Sequence, residues 1–384
     1  MRQRKRIPWK TIALTLLAAL GGGAVGYWIM SQVAPLGIWG IVGGIALLVL
    51  AYFLQVLVHE GGHLVCGLLT GYRVLSFRIG RVLLVKLDGR WKLRAYHIPG
   101  TGGQCLMAPP AQENPPYRLY HLGGGLANLV LALLALPALL LSPSPLLRVF
   151  AGALVLIGVW LAGTNLIPLK MGGLVNDGYN AKNLGRDPLA LWCISAQLWM
   201  NEALLEGYSV ADMPEEWFFL PKDADLDNSL IAGTAIQAAS RLMARGELEE
   251  ADQAIRALLY GGHDLMGLYR LELVCEEIYC ALVLGRPREA ERLYTPEVQR
   301  YCKSTRKYYP SRVRQAYAWA LLAEGAAEKA CSIRAEFEKV AARYPYPGEL
   351  TGERRLLDRV DEAFQASSFQ SVPKENQSEN ESKI

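Results

Sequence analysis

The sequence predicts a mainly α-helical chain of two unlike parts: a polytopic helical membrane domain with a small β-hairpin region, then a soluble α-helical repeat domain. Three observations carry this expectation. Four strongly apolar stretches lie near 11–30, 38–69, 122–141 and 147–168, each with roughly the 20 apolar residues that cross a hydrocarbon core of about 30 Å. Beyond about residue 185 the composition becomes an ordinary charged, helix-forming mixture. Within that second part glycine and alanine recur at one offset, Gly246 with Ala251, Gly285 with Ala290 and Gly325 with Ala330. The expected division is a membrane domain over 1–185, a helical domain over 186–365 and a disordered tail over 366–384.

The first span follows Arg2, Arg4, Lys5, Arg6 and Lys10, whereas the connection from Ser31 to Gly37 has no Lys or Arg. The N-terminus is therefore expected in the cytoplasm. The span exceeds a signal-peptide core and no small-residue cleavage site follows it, so it reads as permanent. Gly22 and Gly26 form a small-residue step suited to close packing, within the chain or between copies. The second span is too long for one simple crossing, so it either tilts or ends among other helices. Next, Val82–Leu87 and Arg90–Tyr96 alternate in polarity around Asp88-Gly89, the pattern of a β-hairpin. Basic residues fill 73–118 and are missing from Ser142–Leu147, so two further spans return the second part to the cytoplasm. Trp9, Trp28 and Trp39 fall near the expected interfaces as anchors.

The second span ends in His59-Glu60-Gly61-Gly62-His63. On a helix His59 and His63 share one face, so both imidazoles reach one metal ion while Glu60 projects beside it. This is the pattern of a zinc-dependent hydrolase: zinc acidifies water from a pKa of about 15.7 to about 7, and a carboxylate shuttles the proton to the leaving amine. Ionisable groups in a bilayer cost at least about 2.5 kcal/mol each, which favours this reading over a helix-capping or pore-lining polar cluster. Catalytic zinc takes three protein ligands. Span parity places Asp177, after the fourth span, on the side of His59, which lies about 30 Å along the second span from Ile38. Asp88, the other acidic candidate, falls in the hairpin turn. Asp177 is the expected third ligand, against a helix N-cap or turn role. The seven cysteines contain no CxxC pair, which argues against a disulfide framework or a thiolate site. Cys66, a turn beyond His63, reads as a small buried side chain before a ligand.

Over about the first 180 residues the chain resembles the site-2 protease family of intramembrane zinc metalloproteases, peptidase family M50. The matching residues are His59, Glu60 and His63, then Asn165 and Pro168 with Asp177 and Gly178 in an NxxP...DG arrangement. Gly123-Gly124-Gly125-Leu126-Ala127-Asn128 is similar to the family's GPxxN motif, with Gly124 where proline is common. Gly71–Gly80 and Ile98–Gly103 are similar to its β-region after the histidine motif. Pro168 and Asp177 stand about one helical turn farther apart than in the family pattern, so 169–176 must loop or extend the helix. The resemblance implies zinc held by His59, His63 and Asp177, Glu60 as general base, and membrane-embedded or membrane-proximal polypeptide substrates cut near the cytoplasmic face. No PDZ-like insertion is visible, and the chain looks like a compact, cytoplasm-facing, multi-pass bacterial form of the family.

Asn128 and Asn165 then become candidates to bind the substrate backbone or stabilise an oxyanion, with interhelical hydrogen bonding as the alternative. The hairpin edge either pairs with an unwound substrate or caps the domain. The segments Arg241–Ala257, Tyr279–Leu293 and Trp319–Ile333 resemble tetratricopeptide (TPR) repeats, with a period of about 40 against the usual 34. Such pairs offer a concave face to a peptide or protein partner; a plain helical bundle is the competing reading. His97, His121 and His263 are not at metal-ligand spacing; position alone sets His121 near the interface and the active site, and His263 reads as a turn residue. The net charge of +4 gives no case for nucleic acid. Two other functions compete: a noncatalytic membrane scaffold or receptor working through the repeats, which would not need Glu60, and a transporter, which would need more intramembrane charge than the chain has.

Overall fold

A computed structural model describes residues 9–87, 89–98, 101–171 and 174–370. The basic residues of the first eight positions, Asp88, and Pro99 and Gly100 of the β-region therefore lie outside the described residues. The chain is mainly helical, with a small antiparallel sheet, and divides into two compact units, Met1–Val65 with Leu122–Ile167, and Cys66–His121 with Pro168–Ile384.

The first unit is built from α1 (Trp9–Val33), most of α2 (Gly37–Leu69), most of α3 (Tyr117–Leu141) and α4 (Pro145–Leu166). Among the described residues, three helical runs are long and apolar enough to cross a membrane: Ala19–Leu69, Tyr117–Leu141 and Pro145–Leu166. The first two spans expected from the sequence fall in one 51-residue run, interrupted at a 3-10 turn, Ala34–Leu36, where Pro35 opens the turn and Gly37 takes φ +68°. Small residues make the helix contacts. A Cβ on Gly152 would lie 2.6 Å from Trp28 Cη2, and one on Gly158 would lie 2.5 Å from Gln55 Nε2. Ala51, Ala135, Ala151 and Ala153 fill the centre with Leu154. Large apolar side chains such as Leu133, Leu134, Leu140 and Trp160 are instead more than half exposed. Small residues inside and large apolar ones outside is the arrangement of helices that pack without a hydrophobic drive from water, and it accords with membrane association.

In the second unit, β1 (Arg73–Ile79), β2 (Val82–Leu87), β3 (Arg90–Ala95) and β4 (Gly103–Ala108) form a sheet in the order β3-β2-β1-β4, antiparallel throughout. The expected hairpin is β2-β3, closing with Leu87 opposite Arg90 and Gly89 at φ +72°. It is half of a larger sheet. Leu75, Leu83, Val85 and Leu87 form its buried face, packed with Ala196, Trp199, Met200 and Leu205 of α6 (Pro188–Leu205). The β-region thus shares a core with helices beyond residue 185, so packing divides the chain otherwise than at that position.

The remaining helices are α5 (Asp177–Asn183), α7 (Ser229–Arg245), α8 (Leu248–Tyr260), α9 (Gly267–Val283), α10 (Pro287–Leu293), α11 (Pro296–Thr305), α12 (Pro310–Ala318), α13 (Ala327–Ala341) and α14 (Pro347–Gln370). Gly246, Gly285 and Gly325 occupy the turns before α8, α10 and α13 at φ +82°, +74° and +63°, a left-handed conformation that glycine adopts without a Cβ penalty. Ala251, Ala290 and Ala330 are buried at the facing positions. One interior joins α7 to α14, including Ile255, Ile278, Tyr279, Val313, Phe337 and Val360. The expected disordered tail begins too early: α14 continues to Gln370, and the rest of the tail lies outside the described residues.

Candidate metal centre

His59, Glu60 and His63 lie on α2, where Glu60 is 9% and His63 7% exposed. His59 Nε2 and His63 Nε2 stand 3.2 Å apart. Two nitrogens bound tetrahedrally at the usual Zn–N length would be about 3.3 Å apart, so the pair already has the separation that one ion demands. Glycine makes room for it. A Cβ on Gly124 of α3 would fall 2.5 Å from His63 Nε2 and 2.8 Å from His59 Nε2, so the imidazoles face bare backbone. Gly62 meets the Gly123 carbonyl and the Ala127 methyl in the same way, whereas a Cβ on Gly61 would meet nothing within 4 Å. Gly124 therefore belongs to the packing of this pair.

The orientation of His59 is set by a chain of amides. Leu154 O, a backbone carbonyl, can only accept, so Gln55 presents Nε2 to it at 2.7 Å. Gln55 Oε1 then accepts from Asn128 Nδ2 at 2.6 Å, and the same nitrogen donates to Gln55 O at 2.8 Å. That leaves Asn128 Oδ1 as the acceptor for His59 Nδ1 at 2.7 Å. His59 accordingly carries its proton on Nδ1 and keeps the Nε2 lone pair for a ligand, the second-shell control that metal-binding histidines use. Gln55 and Asn128 are both fully buried. Asn128 is thus engaged in interhelical hydrogen bonds that position His59. Asn165 is not part of this set: its Nδ2 donates to Leu161 O at 2.8 Å, within its own helix.

The longer interval before Asp177 is taken up by a small hairpin, β5 (Lys170–Met171) and β6 (Leu174–Val175). Leu169 N donates to Asn176 Oδ1 at 3.0 Å, and Asn176 N to Leu169 O at 3.2 Å, closing the hairpin. Asn176, not Asp177, is the N-cap of α5, accepting from Tyr179 N, so the capping role set against Asp177 belongs to its neighbour. Asp177 Oδ1 is 3.5 Å from His121 Nδ1. His59, His63 and Asp177 form a group that could hold a metal ion, one ligand atom from each lying within 4.8 Å of the others. The donor set of two imidazoles and a carboxylate suits zinc.

Sequence reasoning missed Gln55 and underrated His121. Gln55 carried a signal, a lone amide in an apolar run, four residues before His59 on the same helix face. His121 carried only its position near the interface, because its approach to Asp177 depends on the tertiary fold. None of the seven cysteines is in a disulfide, and Cys66 is not in the metal-competent group. His97 packs by Tyr308, with ring centroids 5.6 Å apart, and His263 sits at the Gly261 turn as expected. Comparison with family models, with curated proteins and with solved structures finds no match for this chain.

Proposed function

We propose that this protein is an intramembrane zinc metalloprotease of the site-2 protease kind, cutting membrane-embedded or membrane-proximal polypeptides near the cytoplasmic face. The observation that carries the reading is the pairing of His59, its tautomer fixed by Asn128, with His63 beside a buried Glu60 on an apolar helix. His59, His63 and Asp177 would hold zinc, which supplies acidification of water and polarisation of the scissile carbonyl. Glu60 takes the proton of the attacking water and returns it to the leaving amide nitrogen. Asn128 keeps the His59 lone pair aimed during these steps, and Gln55 keeps Asn128 from turning over. A merely structural metal site has no use for a carboxylate that is not a ligand, which favours catalysis over a scaffold role. The helical region from α7 to α14 is read as a TPR-like recruiter of substrate or of a regulatory peptide, on the cytoplasmic side.

The test compares membrane proteomes of cells expressing the chain or its Glu60→Gln variant. The variant keeps the metal ligands and loses the base, so full-length precursors should accumulate and their fragments disappear. Coinciding profiles, with both proteins present and metallated, would remove the protease reading.

A further inference from the structure

A second site lies in the second unit, and the sequence reading assigned nothing to it. Trp192 and Trp199 are seven residues apart on one face of α6, and Trp217 stands in the 3-10 turn Glu215–Phe218. The Trp192 and Trp199 rings meet at 74° with centroids 5.5 Å apart, and Trp217 lies 6.0 Å from Trp199 at 39°. Trp199 is fixed from behind, its Nε1 donating to Pro109 O at 3.0 Å. These rings line a cavity of about 480 Å³, open to solvent, with Glu113 on the loop after β4 and Glu202 one turn along α6 from Trp199. Arg73 also lines it, but its guanidinium is held by Glu202 in a two-bond pair at 2.8 and 2.5 Å. Glu113 therefore leaves the lining with one net negative charge.

Two mutually perpendicular indoles, a third ring and a carboxylate at the rim make a cage for a cation that is poor in hydrogen-bond donors. A hydrated ammonium would lose its water partners among the rings, and an anion would face Glu113 and the back of an occupied guanidinium. A trimethylammonium group presents a diffuse positive charge on an apolar surface, which indole faces attract best. We propose that this cavity binds a trimethylammonium cation of choline type, through the faces of Trp192, Trp199 and Trp217, with Glu113 as counter-ion. The volume falls in the range of small-molecule sites. Free choline and the headgroup of a choline lipid share this chemistry.

The experiment titrates the full chain, in a maltoside detergent lacking ammonium groups, with choline chloride against sodium chloride at matched ionic strength. Tryptophan fluorescence is the readout. The uncharged isostere 3,3-dimethylbutan-1-ol is the control, and glycerophosphocholine separates headgroup from free cation. A saturable change with choline, at least about tenfold tighter than with the isostere, is expected. Glu113→Gln, a loop substitution, should weaken choline several-fold, and Trp217→Ala should abolish the response while thermal unfolding stays cooperative. Tighter binding of glycerophosphocholine than of choline would assign the headgroup as the source, and the reverse the free cation. Equal affinity for choline and the neutral isostere, or no effect of Glu113→Gln, would overturn the proposal.

Discussion

Replacing Asn128 by alanine is expected to weaken zinc binding by about 10- to 100-fold while the helices stay folded, the usual cost of losing a metal-histidine's outer partner. The perturbation removes the 2.7 Å acceptor of His59 Nδ1 and the donor that satisfies both Gln55 oxygens. On the binding side the loss corresponds to roughly 1.4–2.7 kcal/mol, because His59 is then free to turn or to place its proton on Nε2, where it blocks the ligand lone pair. On the folding side each orphaned buried group costs about 1–3 kcal/mol, moderated where water enters the space vacated by the amide. Zinc affinity would be measured by competition with a fluorescent chelator in detergent. Asn165→Ala is the matched control, since the hydrogen bonds of its Nδ2 stay within α4, and should leave affinity within about twofold. Asn128→Asp keeps the acceptor for His59 but sets a carboxylate oxygen against two Gln55 oxygens, so it should lose more stability than affinity. If Asn128→Ala binds zinc as tightly as Asn165→Ala, the positioning argument is wrong.

Gly124→Ala should reduce zinc affinity by about 100-fold or more, its Cβ falling 2.5 Å from His63 Nε2, while Gly61→Ala should be neutral or stabilise by about 0.5–1 kcal/mol; zinc competition and thermal melts separate them. Gly285→Ala should cost about 1–2 kcal/mol in chemical denaturation from backbone strain alone, because φ is +74° and nothing lies within 4 Å of the new Cβ; a cost no smaller for Gly285→Asn would contradict this account. Glu349 is pushed up to about 7, first by burial and then by Glu353, Glu272 and Glu276, against the lowering effect of the Tyr344 hydroxyl that donates to it at 2.7 Å. A carboxyl raised in the folded state stabilises the fold fully below its unfolded pKa and loses that contribution as pH rises through the folded value, here between about 4.5 and 7. Glu349→Gln should therefore raise the unfolding free energy in chemical denaturation at pH 8 by on the order of 2 kcal/mol after allowing for partial solvent access, and change little at pH 5; equal gains at both would contradict the assignment.

The features legible in the sequence are those set by neighbours along the chain. Helical spacing put His59 and His63 on one face, Asp88-Gly89 placed the turn between β2 and β3, and Gly246, Gly285 and Gly325 marked turns that only positive φ explains. What escaped reading depends on partners far away. The Gln55 and Asn128 amides meet across 73 positions, so neither residue alone reveals the pair. The sheet's fourth strand, β4, is specified by pairing with β1 across a bulge between Val74 and Ser76 and not by its own alternation. Residues 366–370 continue a helix already anchored by Leu356, Leu357 and Val360, where each added residue gains a hydrogen bond without a new nucleation step. The interval from Pro168 to Asp177 was ambiguous for the opposite reason, since eight residues can loop, coil or fold back, and closure by Asn176 selects the hairpin.

The partner of His59 is an amide where a carboxylate would serve equally well as an acceptor, and that choice governs where protons can travel. Neither Asn128 nor Gln55 ionises near neutral pH, and the chain they form ends on a backbone carbonyl. A proton on His59 Nδ1 has no onward path through them, so the clamp is an insulator and not a wire. It also adds no formal charge to the interior of an apolar helix pair, which spares the desolvation that a buried carboxylate would incur. In the proposed hydrolysis, proton transfer is then left to Glu60 and water, and solvent isotope effects should report on that single exchangeable route.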